Sequence, residues 1–121
     1  MIKAVIYARC AEKNDDKIAS QLSVCKDYAV KNDMSILAEY ADNGYSGMSA
    51  KRPSLKSLQV NNDWEVLLIT ECSVLYRDHD LLMRFMDSVE KNGRKIILTA
   101  SGEELSFSVT RKLLRNMGVA H

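Results

Sequence analysis

The chain has 121 residues, of which 46% are hydrophobic and 27% are charged, and its formal net charge is +1. A chain of this length and composition forms one globular domain that buries roughly two-thirds of the surface of its unfolded state. So small a net charge excludes attraction of nucleic acid by the molecule as a whole, so that any such affinity needs a local basic patch. No apolar run approaches the ~18 residues of a membrane span, and we expect no membrane partner.

The cysteines and histidines argue against a metal site. Cys10, Cys25 and Cys72 are odd in number and widely spaced, which predicts reduced thiols in a cytoplasmic protein and no disulfide framework. There is no CxxC or HxxxH motif, and the two histidines are His79 and His121. Because GxGxxG and GxxxxGK[ST] are also absent, we expect neither a metal nor a nucleotide cofactor.

Strand-like and helix-like segments alternate along the chain. The apolar run over residues 2–9, rich in β-branched residues, is typical of a buried strand. Gly93 is placed to end the later of the two long helices as its C′ residue. In chain order, the predicted elements are a strand over 2–9, a helix from Asn14 or Asp15 to about Asn32 with Ile18, Leu22, Cys25 and Ala29 as its apolar stripe, a strand over 34–41, a short helix from Ser54 to about Asn61, a strand over 64–71, a helix within 77–93 with Leu82, Phe85, Met86 and Val89 inward, and a strand over 94–100.

This alternation predicts the α/β fold class, with three layers. A central, mainly parallel sheet of four to five strands would have helices on both faces. In such sheets ligands bind beyond the carboxyl ends of the strands. That edge is therefore where we look for functional residues.

Three arginines are predicted at that edge of the sheet. Arg9 ends the first strand, Arg52 lies in the turn-rich loop after the second, and Arg77 follows the third. Gln21, beside the apolar stripe of the first helix, is placed to face the same edge. Any one of these arginines alone would more simply be a solvated surface residue or part of a surface ion pair. Three together favour a phosphate site, because a guanidinium offers a planar fork of donors and stays charged.

The same residues resemble the catalytic domain of the serine recombinases, the resolvase/invertase family. The matching pieces run in order from about Lys3 to Ala100. They are Tyr7-Ala8-Arg9 at the strand end, Gln21, the loop "YADNGYSGMSAKRPSL" and "LYRD" after the third strand. The loop containing Asp42, Ser46 and Arg52-Pro53 is the most specific of them.

The resemblance implies site-specific DNA strand exchange without a metal or an external energy source. A serine of the family attacks the scissile phosphodiester, leaving a 5′-phosphoserine and a free 3′-hydroxyl, while arginines hold the phosphate. Carried over by position, Arg9, Arg52 and Arg77 would be phosphate-holding residues with Gln21 in support, and Asp42 and Ser46 would order the loop. The implied partners are DNA and, as a homodimer or heterodimer, another recombinase chain.

Two departures from the family pattern bear on activity. The family reads Tyr-x-Arg-x-Ser at the strand end, so that the nucleophile position is Ala11 here, and a methyl group cannot attack phosphorus. The family's Asp-Arg ahead of the last arginine is replaced by Ser73-Val74. Losing one charge-stabilising donor typically costs ~3–4 kcal/mol of transition-state stabilisation. These residues predict a degenerate domain that does not form the phosphoserine intermediate.

Two other interpretations stay open from the sequence. The first is an active DNA-cleaving enzyme that uses Cys10 or a loop serine, Ser46 or Ser49. A thiolate is a good nucleophile, but adjacent strand residues point to opposite faces, so that we expect Cys10 to be buried on the side away from Ala11. The second is a small α/β module that binds a phosphorylated metabolite.

The C-terminal part also departs from the family, whose members continue into a long helix and a separate DNA-binding domain. We expect residues 1–100 to form the catalytic-like domain and residues 101–121 a truncated helical segment of it. Within that segment, 108–116 is predicted to be a basic amphipathic helix whose Arg111, Lys112 and Arg115 face solvent or DNA backbone. A shortened natural protein and one domain of a longer protein are both compatible with this pattern.

Overall fold

Five strands and three α-helices make up the part of the chain described by the computed structural model, residues 1–49 and 51–106. We number them in chain order and call the short 3-10 helix after the third strand η1. The elements are β1 (Ile2–Cys10), α1 (Asp15–Lys31), β2 (Met34–Asn43), α2 (Pro53–Val60), β3 (Val66–Ile69), η1 (Cys72–Val74), α3 (His79–Lys91), β4 (Lys95–Leu98) and β5 (Glu103–Glu104).

The strands form one sheet in the order β2-β1-β3-β4-β5. All neighbours pair in parallel except β4 and β5, which are antiparallel. β1 lies between two partners and between two layers of helix, so that every residue from Ala4 to Ala8 is fully buried. This explains why β1 is a continuous apolar run without polar alternation.

Helices cover both faces of the sheet, which confirms the predicted three-layer α/β fold. Alternate residues of β1 enter different layers because successive side chains point to opposite faces. Ala4 and Ile6 pack with Cys25 of α1, whereas Val5 and Tyr7 pack into the larger core on the other face. That larger core also contains Leu55 and Leu58 of α2 and Phe85, Met86 and Val89 of α3.

The helix boundaries agree with their local signals. The Asn14 side chain accepts the Lys17 N–H at 3.0 Å and caps α1, as predicted. Pro53 occupies the first turn of α2, where its missing N–H has no helical partner to lose. Gly93 ends α3 with φ +71°, and the N–H groups of Gly93 and Arg94 bond back to the carbonyls of Glu90 and Val89 in a Schellman motif.

Several strand boundaries differ from the prediction. The strand predicted over 94–100 is limited to Lys95–Leu98. β2 continues to Asn43, two residues beyond its expected end, because it pairs with the full length of β1. β3 is limited to Val66–Ile69, shorter than the predicted 64–71, and the Trp64 indole before it donates to the Leu58 carbonyl of α2 at 3.2 Å. β5 adds a short strand at Glu103–Glu104, and the helix predicted over 108–116 lies outside the described residues. Of the helices described, none is long and apolar enough to cross a membrane.

Candidate functional site

The three arginines singled out from the sequence meet at the carboxyl edge of the sheet. Arg9 is the penultimate residue of β1, Arg52 precedes α2 as its N-cap residue, and Arg77 follows η1. Arg9 and Arg52 are buried, with 7% and 2% of their surface exposed, whereas Arg77 is exposed. The structure therefore separates two buried guanidinium groups from one that reaches solvent.

The Arg9 side chain links β1 by hydrogen bonds to η1 and to the loop after β2. Its Nε donates to the Val74 carbonyl at 3.1 Å, its Nη1 to the Tyr45 carbonyl at 3.0 Å and its Nη2 to the Ser73 carbonyl at 2.6 Å. Burial lowers the pKa of Arg9, and the neighbouring positive charges of Arg52 and Arg77 add to this effect. Each guanidinium nitrogen thus donates a hydrogen bond to a backbone carbonyl, and the positive charge of Arg9 lies at the site.

Arg52 lies behind Arg9 and shares a partner with it. Its Nη1 also donates to the Val74 carbonyl at 3.1 Å and lies 3.5 Å from the Tyr7 hydroxyl. The guanidinium carbon is 4.1 Å from the centre of the Tyr76 ring, a cation–π contact. Within the described residues, Nε and Nη2 of Arg52 are buried without a hydrogen-bond partner. The aromatic face compensates part of the cost of burying them.

Asp42 joins the end of β2 to the start of α2. Its carboxylate, 1% exposed, accepts the Tyr7 O–H at 2.7 Å and the N–H groups of Ser54 and Leu55 at 2.9 Å each. Asp42 thereby caps the N-terminus of α2, because the side chain of the N-cap residue, Arg52, makes no capping hydrogen bond. Burial and the hydrogen bond to Asp42 raise the pKa of the Tyr7 phenol well above its usual range.

Gln21 and Ser46 make different contacts from each other. The Gln21 side chain accepts the Arg9 N–H at 3.0 Å and donates to the Arg9 carbonyl at 2.9 Å, and so holds the backbone at the end of β1. Ser46 is exposed, and its hydroxyl accepts the Met48 N–H at 3.1 Å within its own turn.

Gly47, next in the same loop, is buried between two of the arginines. Its carbonyl accepts the Arg77 N–H at 2.9 Å. A Cβ at this position would lie 2.9 Å from the Arg77 Cγ and 3.1 Å from the Arg9 Nη2, which is too close for either side chain to stay in place. Glycine therefore permits the loop to pass between Arg9 and Arg77.

A pocket of about 570 Å³ opens beside these residues, between the end of β1, the start of α1 and η1. Of the predicted site residues, the pocket wall contains Arg9, Gln21 and Arg77 together with Ala11 and Val74. The remaining predicted residues, Arg52, Asp42 and Ser46, are not in the wall. Arg52 is linked to the wall through its hydrogen bond to the Val74 carbonyl, whereas the hydrogen-bond partners of Asp42 lie outside the wall.

Two lysines of the pocket wall were missed by the sequence reasoning. Lys13 and Lys17 are exposed, and no ion pair involves either of them or Arg77 within the described part of the chain. Two carboxylates, Glu12 and Glu71, lie in the same wall, so that the basic side chains outnumber the acidic ones by four to two. The lysines were detectable in principle, because they directly follow β1 at the ligand-binding edge of the sheet.

Cys10 and Ala11 have opposite surroundings at the end of β1. Cys10 is buried, with 7% of its surface exposed, and packs with Ala8 and Ile18 on the α1 side of the sheet, although it also borders the pocket. Ala11 is exposed in the pocket wall. In the described residues no group of histidine, cysteine and carboxylate side chains is arranged to hold a metal ion.

Comparison with solved structures identifies similar folds. The N-terminal catalytic domain of TP901-1 integrase superposes with a TM-score of 0.81 at 20% identity, over 96% of this chain and 98% of that one. A resolvase family site-specific recombinase from Streptococcus pneumoniae gives 0.76 at 21% identity, over 97% and 90%. The C-terminal catalytic domain of ISC1926 TnpA, an IS607-like serine recombinase, gives 0.75 at 25% identity, over 96% and 78%. No curated protein sequence matches the chain at a significant level.

The family follows from a match along nearly the whole chain. The family model described as "Resolvase, N terminal domain" matches residues 4–120. This match covers the end of β1 with its arginine, the loop after β2 and all of the pocket wall. The chain belongs to the resolvase N-terminal domain family, the catalytic-domain family of the serine recombinases.

Proposed function

We propose that this chain is a degenerate serine recombinase catalytic domain, which holds a DNA phosphodiester in its basic pocket without forming the phosphoserine intermediate. One observation carries the proposal. Ala11 is exposed in the pocket wall beside Arg9, at the strand end where the family pattern has its nucleophile. The methyl group of Ala11 lies where an attacking hydroxyl would be needed and has no lone pair to offer.

The buried and exposed arginines have different roles in this proposal. Arg77 is exposed in the pocket wall and contacts the phosphate directly. Arg9 supplies positive charge from the wall, while its donors stay on the carbonyls of η1 and the loop after β2. Arg52 is a positioning residue, because it touches Val74 and Tyr76 and not the pocket. Gln21, Asp42 and Ser46 order the surrounding backbone.

Position 74 supports the loss of activity independently of position 11. Where the family pattern has an arginine, the Val74 side chain is 4% exposed and packs in the core. Only its carbonyl serves the site, as the acceptor for Arg9 and Arg52. The missing donor corresponds to ~3–4 kcal/mol of transition-state stabilisation, a factor of ~100–1,000 in rate.

Cys10, Ser46 and Ser49 are poorly placed for the same reaction. The Cys10 side chain packs against Ile18 in the core. The hydroxyls of Ser46 and Ser49 accept backbone N–H groups within their own loop, and neither residue lies in the pocket wall. The Ser73 hydroxyl does border the pocket, where it donates to a Glu71 carboxylate oxygen at 2.8 Å.

The wider assignments follow from the same proposal. Residues 1–100 form the catalytic-like domain, and residues 101–121 form its C-terminal segment, of which β5 joins the sheet. The expected partners are DNA and a second recombinase chain, either identical or active. A site for a phosphorylated metabolite is the competing proposal, and the size of the pocket, about 570 Å³, is compatible with either ligand.

The test is a search for covalent protein–DNA adducts on a pool of nicked duplexes of random sequence, which avoids the need to know a target site. The duplexes are incubated with the protein, denatured and separated, and any adduct is mapped by peptide mass spectrometry. We expect the wild-type protein to bind the duplexes and to form no adduct. An adduct on Cys10, Ser46, Ser49 or Ser73 would overturn the proposal, and so would binding of nucleotides or sugar phosphates without binding of duplex.

A further inference from the structure

We infer that Lys13 and Lys17 form a second phosphate contact in the pocket, so that the site takes two neighbouring phosphates of one DNA strand. The inference rests on the proposed function, because it specifies the ligand of the same pocket. It concerns residues outside the strand-end and loop motifs on which the resemblance to the family rests. Lys13 lies in the loop between β1 and α1, Lys17 lies in the first turn of α1, and both line the same pocket as Arg77.

The charges of the pocket wall support a ligand with more than one negative charge. Lys13, Lys17 and Arg77 are all exposed, and no ion pair neutralises them within residues 1–49 and 51–106. Like charges that share a concave surface repel one another, and they lower that cost by binding an anion. A single phosphate at Arg77 would leave the charges of Lys13 and Lys17 opposed only by the Glu12 and Glu71 carboxylates of the wall and by salt ions.

The size of the pocket supports the same conclusion. Its volume of about 570 Å³ lies within the range of roughly 300–1,000 Å³ that is typical of sites for whole small molecules. One phosphate group occupies only a small part of such a space. The next phosphate of the same strand is one nucleotide away, with a rise of about 3.4 Å along the helix axis, and a cavity of this volume has room for it.

The nearby carboxylates reduce the positive charge of the pocket but do not cancel it. Glu12 and Glu71 lie in the pocket wall, and Glu71 accepts the hydroxyl of Ser73. Asp15 and Asp16, in the first turn of α1, are not in the wall, and Asp15 accepts the Asn43 amide at 2.7 Å. Glu12 is exposed and should therefore oppose the second phosphate.

The experiment measures the salt dependence of binding to a fluorescent duplex between about 50 and 200 mM salt. We expect the double variant Lys13→Gln/Lys17→Gln to reduce the slope of log affinity against log salt by about 0.9, since it removes one phosphate contact. Over a fourfold change in salt, that difference is about 3.5-fold in the affinity ratio. Glu12→Gln removes a negative charge from the pocket wall and should therefore bind the duplex more tightly than wild type.

The matched control is Lys3→Gln/Lys31→Gln, which removes the same charge from two exposed lysines. These lie at the start of β1 and the end of α1, at the opposite edge of the sheet. If the control and the Lys13/Lys17 variant have equal slopes, the inference is wrong, while a reduced slope for Arg77→Gln in the same experiment leaves the proposed function standing. If the wild-type protein binds no duplex, the proposed function itself fails and the inference fails with it.

Discussion

Replacing Asp42 by alanine should release the loop after β2 from the sheet. The carboxylate, 1% exposed, is the shared acceptor of the Tyr7 hydroxyl and of the N–H groups of Ser54 and Leu55. Alanine leaves three donors without this acceptor, and each unpaired buried donor costs about 1–3 kcal/mol. The Ser54 N–H is only partly buried and water can replace its partner. We therefore expect a loss of about 4 kcal/mol in the free energy of unfolding, towards the lower end of the sum.

The assay is urea denaturation followed by the fluorescence of Trp64, the one tryptophan of the chain. Trp64 is 3% exposed, and its indole donates to Leu58 of α2, the helix that Asp42 caps. Asp42→Asn keeps one acceptor oxygen and should lose about half as much stability. Asp63→Ala, at an exposed position after α2, is the control and should stay within about 0.5 kcal/mol of wild type. A loss below about 1 kcal/mol for Asp42→Ala would refute the argument that this carboxylate holds the loop.

Three further predictions concern the buried residues around the pocket. Because the pKa of Tyr7 is raised in the folded state, the folded protein keeps this proton above about pH 10 while the unfolded chain releases it. The free energy of unfolding should therefore fall by up to about 1.4 kcal/mol per pH unit above pH 10. In denaturation experiments at alkaline pH, Tyr7→Phe should show a shallower fall of this free energy with pH than wild type. Gly47→Ala should displace the Arg77 side chain and weaken duplex binding at least as much as Arg77→Gln does, and binding equal to wild type would contradict the contact distances. Arg52→Lys should lose the stacking on Tyr76 and lower the free energy of unfolding by about 2 kcal/mol, as measured by thermal denaturation, whereas an unchanged melting temperature would show that the stacked guanidinium is dispensable.

The fold was predictable because its signals are local. The unbroken apolar run of β1, the Asn14 cap and the Gly93 terminator each act through residues a few positions apart, and each appears in the structure as expected. The short extent of β3 was not predictable in this way. The Trp64 indole before β3 donates to the Leu58 carbonyl of α2, a contact without a local signal, and nothing in the apolar run itself shows where the pairing with β1 stops.

The convergence of the arginines was predictable, but the separation of their roles was not. Arg9, Arg52 and Arg77 follow successive strands, and the rule for parallel sheets places them at one edge. Burial of Arg9 depends on carbonyls of residues 64 and 65 positions later in the chain. Backbone carbonyls have no sequence signature, so that the sequence cannot distinguish an arginine that donates to them from one whose donors are available to a ligand.

Arg9 and Arg77 should be substituted separately in binding experiments. A double substitution of Arg9 and Arg77 would mix loss of folding with loss of phosphate contact, because all three guanidinium nitrogens of Arg9 hold the backbone. Arg77 alone is exposed among the three arginines, and no ion pair involves its side chain within the described residues, so that its charge can be removed separately. Arg84, exposed on α3 and absent from the pocket wall, provides an arginine control of equal charge.

The most direct test of the central claim is therefore duplex binding as a function of salt for the wild-type protein, Arg77→Gln and Arg84→Gln. If the pocket holds a DNA phosphate, Arg77→Gln reduces the slope of log affinity against log salt by about 0.9, and Arg84→Gln leaves it unchanged. Equal slopes for all three proteins, or no binding of duplex by the wild type, would contradict the claim that this pocket is a phosphodiester site.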